Sequence, residues 1–465
     1  MNIRKFKWKR IISAAMAAMI LFMTPVTTKA EVYWPDGPSI PTSYAVVMDV
    51  NSGAVLYEKG SHEKNYPASI TKVMTTLLAL EHCELDEVVT FSDDAINLNQ
   101  GDTSHIARDY GEQMTVEQCL YAIMLESANE CSYAIAEHVG QKVGGDYHTF
   151  IDMMNEKAAS LGCTNTHFNN SNGLPDPDHW TCAHDMALIG AEAYKNETFQ
   201  IIIGTRSYRI SPTNKHKDIT PLNNHHAMIS NYKTNEYLYE YCTGGKTGYT
   251  DVARSTLITF AEKDGLTLVC VVMRAERPNQ YLDTRTLFDY CFQNFQAFSL
   301  AEYVGANEEQ SENKGIMNNH ESFVDLNEEG YVVLPVTADF ADVEMTLEST
   351  NLPGDVIAQL RYTYGGHVVG KVNVVPSKPV VEDNYFKMKN NDSEKNIVEI
   401  KASTIVWIIV LIILLIVGIF VGKNIYDNYY VILHNMDVRR QRKSRFKPIN
   451  NKKKKRWRKR DRMFK

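Results

Sequence analysis

The chain lacks the spacing of a zinc site. Its eight cysteines fall between Cys83 and Cys291 with neither a CxxC pair nor a Cys/His set at ligand spacing, so no metal and no cofactor is expected. Internal repeats are missing too, which argues against a solenoid or a propeller. Positive charge is scarce over the body of the chain. The formal net charge is -7 although the two ends carry about 20 positive charges, so the region between them is acidic and nucleic acid is not an expected partner.

The ends are informative. Arg4, Lys5, Lys7, Lys9 and Arg10 precede an apolar stretch from Ile11 to Met23, then Pro25 and "TTKA" ending at Ala30. That order is a secretory signal over 1–30, with an apolar part too short to span a membrane comfortably. Near the other end, Ala402 to Gly422 is uncharged and long enough to cross a bilayer. The strongly basic 423–465 behind it places that tail in the cytoplasm, against anionic lipid, and everything before about 400 outside a single-pass cell membrane. Export permits disulfides, but the pairing is left open because Cys119, Cys131 and Cys270 lie in apolar patterns that suit buried thiols equally well.

Between the ends, 43–60 reads as two strands joined at Asn51-Ser52-Gly53, and 254–275 as two strands joined at Lys263-Asp264-Gly265. The middle is helical. Val73, Leu77 and Leu80 stripe a helix over 69–82, Thr115 and Gln118 form a capping box, and a further helix runs to Gly140. Two more follow, one closed by Gly162 and one opened by Thr181. Strands at both ends enclosing helices imply an α+β domain over 31–298 whose terminal hairpins share one antiparallel sheet. A polar linker (299–318), a small all-β domain (319–376) and a juxtamembrane linker (377–401) are expected to follow.

Three clusters could carry chemistry. Ser69 and Lys72, as SxxK, sit one helical turn apart, the geometry of a nucleophile beside its base, although a serine opening a helix is most often a cap. Ser127-Ala128-Asn129 lies between two helices, where Ser127 and Glu130 also satisfy a capping box. "GGKTGYT", 244–250, precedes the second hairpin and alone would pass for a glycine-rich turn.

In the order SxxK, SxN, KTG, the three resemble the signature of penicillin-binding proteins and serine β-lactamases. "YPASITKVMT", "YGEQMTVEQCLYAIMLESANE", "LGCTNTHFNNSNGLPDPDHWTCAHDMALI" and "GGKTGYT" are similar to the D-alanyl-D-alanine carboxypeptidases, the low-molecular-mass penicillin-binding proteins, over about 40–297. The resemblance implies a penicillin-binding/serine β-lactamase-like fold and hydrolysis of peptidoglycan pentapeptides ending in D-Ala-D-Ala through an acyl-enzyme on Ser69, with β-lactams as inhibitors.

It implies roles as well. Lys72 would take the Ser69 proton, its neutral form favoured by burial or by the Lys246 charge, and Ser127 would relay that proton to the leaving amine. Asn129 would hold Lys72 and the substrate amide. Lys246 and Thr247 would bind the terminal carboxylate, and Gly248 would let the strand lie close to substrate. The backbone N–H groups of Ser69 and Tyr249 would form the oxyanion hole. One departure is Ala253-Arg254, where the family commonly has Ala-Gly, so Arg254 would brace the site or alter substrate choice. The rivals are a class A-like β-lactamase, which would need a water-activating glutamate such as Glu192 near Asn196, and a sensor that is acylated by β-lactams or wall fragments without turnover.

Overall fold

A computed structural model describes residues 33–97, 103–300, 324–326, 330–348 and 358–376. The expected signal, transmembrane helix and basic tail lie outside the described residues, as does most of the 299–318 linker; among the described residues no helix is long and apolar enough to cross a membrane.

The chain opens with β1 (Tyr44–Asp49) and β2 (Val55–Lys59), then a 3-10 turn (Ala68–Thr71) running into α1 (Lys72–His82). β3 (Val88–Thr90), α2 (Asp93–Asn97), β4 (Gln113–Thr115) and α3 (Val116–Tyr121) follow. The Thr115/Gln118 capping box is present at the start of α3. A π-helical turn (Ala122–Glu126) leads to α4 (Asn129–Lys142), α5 (Tyr147–Ser160), α6 (Ala183–Tyr194) and α7 (Glu197–Gly204). Then come β5 (Ser207–Ile210), β6 (Thr220–Asn223), β7 (Cys242–Thr250), β8 (Arg254–Lys263), β9 (Leu266–Ala275), α8 (Asn279–Asn294) and β10 (Phe295–Ser299).

The five-stranded antiparallel sheet has the order β2-β1-β9-β8-β7, so the terminal hairpins do meet, through β1 on β9. Alternation along its strands feeds two cores. Val46, Met48, Ile258, Phe260, Val269 and Val271 face the helices α1 and α3 to α7, while Val47, Leu257, Leu268, Cys270 and Val272 face Leu287, Phe288 and Cys291 of α8. Both faces are buried, which is why these strands read as near-continuous apolar runs. β7 is one of the two edge strands, and it meets the 3-10 turn of Ser69.

Several boundaries differ from expectation. The run 69–82 starts as a 3-10 turn, because Ala68 is held at φ +52 and the chain must tighten before α1. α4 continues past Gly140 to Lys142. α6 is capped by Cys182, whose Sγ accepts from the Asp185 N–H, one residue after Thr181. All eight cysteines are free thiols.

Further on are β11 (Val324–Leu326), β12 (Tyr331–Pro335), β13 (Glu344–Glu348), β14 (Ala358–Tyr364) and β15 (His367–Pro376). Four of these form a sheet in the order β11-β15-β14-β13, whereas β12 pairs with β10. Leu300, Val332, Leu334, Tyr362, Tyr364, Val369 and Val372 pack a third apolar cluster there.

Candidate active site

The 3-10 turn is what presents Ser69. Its conformation is imposed from three sides. The Pro67 carbonyl accepts from Thr256 Oγ1 of β8 at 2.8 Å. A methyl at Gly173 (φ +87) would fall 1.9 Å from the Ala68 carbonyl oxygen, and one at Gly248 would fall 2.3 Å from Thr256 Oγ1 and 2.9 Å from the Ser69 nitrogen. These are two places where only glycine fits. Gly248 therefore brings β7 up against the nucleophile's own backbone, with the Tyr249 N–H next in line. The caps at Pro67 and Thr71 use no side chain, so the Ser69 hydroxyl is not spent on capping.

Lys72 is wholly buried, and its Nζ lies 3.2 Å from Ser69 Oγ, 2.7 Å from Asn129 Oδ1 and 2.6 Å from the Asn172 carbonyl oxygen. Burial, helped by the Lys246 charge and opposed by Glu130 and Cys131, holds Lys72 well below its ordinary range. A neutral amine has two N–H donors and one lone pair. The two carbonyl oxygens take both donors, which leaves the lone pair to accept from the Ser69 hydroxyl.

Ser127 stands two residues before Asn129, the partner of Lys72. The π-helical turn ends on it in the left-handed region (φ 64), and its buried Oγ has no hydrogen-bond partner. The expected Ser127/Glu130 capping box does not form. The N-cap is Ala128, without a side-chain bond, and Glu130 Oε1 instead accepts from the Ile106 N–H at 2.7 Å. A capping serine needs extended backbone, and the left-handed turn removes that option. The residue is thus left with a free hydroxyl on a strained backbone.

Lys246 is also buried, and burial, against the pull of Glu126, lowers it to about 7. Its Nζ donates to the neighbouring Thr247 carbonyl at 2.8 Å. Behind β7, burial keeps His226 neutral, down to about 4, with Nε2 2.9 Å from Thr259 Oγ1.

Some contributors carry no motif. Asn172 acts through its carbonyl, and the loop holding it is pinned where Thr75 Oγ1 and Ser132 Oγ both donate to the Ser171 carbonyl at 2.6 Å. His179 Nδ1 accepts from the Asn169 and Asn170 N–H groups, so Nε2 carries the proton and donates to Thr71 Oγ1 at 2.9 Å; burial lowers this ring to about 3 and keeps it neutral. The "SNG" at 171–173 was the available signal, because a loop asparagine before a glycine marks a tight turn.

Glu192 and Asn196 are not brought to this cleft's serine–lysine pair. Glu192 pairs with Lys157 at 3.3 Å and Lys195 at 2.8 Å, and Asn196 Oδ1 caps α7 through the Phe199 N–H. Arg254 Nε pairs with Glu276 at 3.2 Å, both exposed. Among the described residues two donor clusters have metal-like proximity, Cys83/Glu87/His138 and Asp109/Glu112/His216; neither includes a residue of this cleft, and Glu87 and Glu112 are engaged by Lys142 and Arg108.

A half-buried serine beside a wholly buried lysine at the foot of a helix, faced by a Lys-Thr-Gly edge strand on a helix-flanked antiparallel sheet, defines the serine acyl-transfer peptidases of the penicillin-binding fold. The D-alanyl-D-alanine carboxypeptidase family model matches residues 31–277, and the chain belongs to that family. A carboxypeptidase of Bacillus subtilis is 32% identical over 263 residues, 55% of this chain and 63% of that one. One from Streptomyces sp. strain K15 is 28% identical over 289 residues, covering 60% of this chain and 94% of the relative. The solved Streptomyces K15 DD-transpeptidase superposes with a TM-score of 0.50 at 27% identity, over 56% of this chain and 100% of that one.

Proposed function

We propose that this chain is a serine-type D-alanyl-D-alanine carboxypeptidase that trims peptidoglycan stem peptides from outside the membrane. The observation that carries it is the three-way partnering of Lys72 with Ser69, Asn129 and the Asn172 carbonyl. The Ser69 oxygen attacks the carbonyl carbon of the penultimate D-alanine while its proton moves to the Lys72 lone pair. The oxyanion is held by the Ser69 and Tyr249 N–H groups. The partnerless Ser127 hydroxyl hands its proton to the departing amine and takes back the one Lys72 had gained, the C–N bond breaks, and D-alanine leaves with Lys72 neutral again. Water then attacks the Ser69 ester, giving up a proton to Lys72, which passes it to Ser69 Oγ as the acyl C–O bond breaks and the shortened peptide leaves. Lys246 and Thr247 hold the terminal carboxylate that marks an exopeptidase substrate, and β-lactams acylate the same serine. An amine in place of water would make the same acyl-enzyme a transpeptidase, the activity for which the solved K15 enzyme is named.

The signal over 1–30 and the apolar 402–422 followed by a basic tail support an extracytoplasmic enzyme on one C-terminal anchor, with the strands from 324 to 376 as a small β unit between catalytic domain and membrane. Purified full chain incubated with a peptide ending in D-Ala-D-Ala should release D-alanine with turnover, and Ser69→Ala should not. Penicillin labelling of Ser69 without any release of D-alanine would favour the sensor instead.

A further inference from the structure

A groove of about 530 Å³ is lined by Lys64, Tyr66, Trp180, Asp251, Arg254 and Arg274 among others, on segments that adjoin the Ser69 turn and β7 along the chain. Tyr66 leads through Pro67 to the Ser69 turn, and Asp251 follows directly on β7. One wall is fixed by reciprocal backbone bonds between Asn65 and Thr181 at 2.7 and 2.9 Å.

The charges are unbalanced. Lys64 lies 4.7 Å from the Trp180 ring centroid, and the Arg274 side chain makes no ion pair or hydrogen bond among the described residues. Arg254 is paired with Glu276, and Asp251 accepts from the Tyr249 hydroxyl at 3.3 Å. Two cations thus face the groove against one carboxylate. Both arginines have left-handed backbone, φ 55 at Arg254 and φ 54 at Arg274, beside the register shift between β8 and β9. A bulge of this kind re-aims side chains, and nothing in the core requires arginine at either position.

We propose that this groove is a subsite for an acidic residue of the donor peptide, upstream of the scissile bond, whose carboxylate is held by Arg274 and Lys64. This rests on the carboxypeptidase reading. With its terminal carboxylate at Lys246 and Thr247 and its backbone extended along β7, the peptide runs toward Asp251. Five strand residues at about 3.3 Å each carry it about 16 Å, and with one peptide residue lying beyond the cut, a residue about four positions before the cut reaches the groove.

The test uses two peptides ending in D-Ala-D-Ala that differ only in an upstream side-chain carboxylate or its primary amide. In the full chain, kcat/KM for the carboxylate peptide should exceed that for the amide by about five- to tenfold. The ratio should approach one at high salt and in the Lys64→Gln/Arg274→Gln double variant; being a ratio, it cancels any general loss of activity. A ratio of one in the unaltered protein at low salt, or a preference that survives both high salt and the double substitution, overturns the subsite. The same ratio is read as Kd on Ser69→Ala protein by calorimetry. If neither peptide is hydrolysed, the carboxypeptidase reading fails while the Kd ratio still decides the groove.

Discussion

The two walls of the cleft treat a buried lysine in opposite ways. On the helical wall Lys72 has three fixed partners and no spare hydrogen-bonding capacity. On the strand wall Lys246 is as deeply buried yet bonds only the carbonyl of its neighbour, Thr247. A base must be neutral and fixed before substrate arrives, whereas an anion binder must keep charge and free N–H groups to offer. The difference shows that burial alone does not assign a lysine its task; the acceptors supplied around it do.

The comparison breaks most completely at Lys72. Lys72→Met leaves Ser69 with no base, and acylation by penicillin should slow by about 10³-fold or more, read from the rate of fluorescent labelling. Lys246→Met should act on binding and on pH. Peptide kcat/KM should fall by about 10²-fold, chiefly through KM. Because the Lys246 charge helps to lower Lys72, its loss should move the acidic limb of the acylation rate to higher pH.

Stability should change with the opposite sign from activity. Lys246 sits at about 7 in the fold against an ordinary 10.5, so the unfolded chain binds more protons between those values and the lysine's destabilising contribution fades as pH rises through that window. Lys246→Met should therefore raise the thermal midpoint at or below pH 7, with a gain that shrinks toward pH 10.5.

The contact between the walls is the next target. Gly173→Ala puts a methyl against the Ala68 carbonyl at a positive φ, and should cost about 2–3 kcal/mol by denaturant unfolding while also slowing acylation. A Gly173→Ala protein of unchanged stability would mean that the Ser69 turn is not held from that side.

What can be seen in the sequence follows the same division. Ser69, Lys72, Asn129, Lys246 and Gly248 act through side chains, or the lack of one, and are legible as motifs. The hairpins are legible because their strands alternate between turn residues. Asn172 is not, because it contributes a carbonyl that any residue possesses. The left-handed Ser127 passes for a cap in the sequence because S-x-x-E fits a capping box equally well; only the π-helical turn before it decides otherwise. The edge position of β7 depends on sheet order, which local pattern does not contain.

The smallest effect is expected where neither wall is touched. Glu192 has the loose Glu-x-x-x-Asn spacing of a lactamase's water-activating residue, yet both of its oxygens are held by Lys157 and Lys195 on the outside of α6. Partly exposed pairs of this kind are worth little, so Glu192→Gln should change stability by about 0.5 kcal/mol or less. It should also leave the lifetime of the penicilloyl-enzyme unaltered, followed by release of the fluorescent label. A penicilloyl-enzyme that lived much longer in Glu192→Gln would mean that α6 turns this residue toward Ser69 during turnover. The cleft would then have a third wall and a lactamase's way of discharging the acyl group.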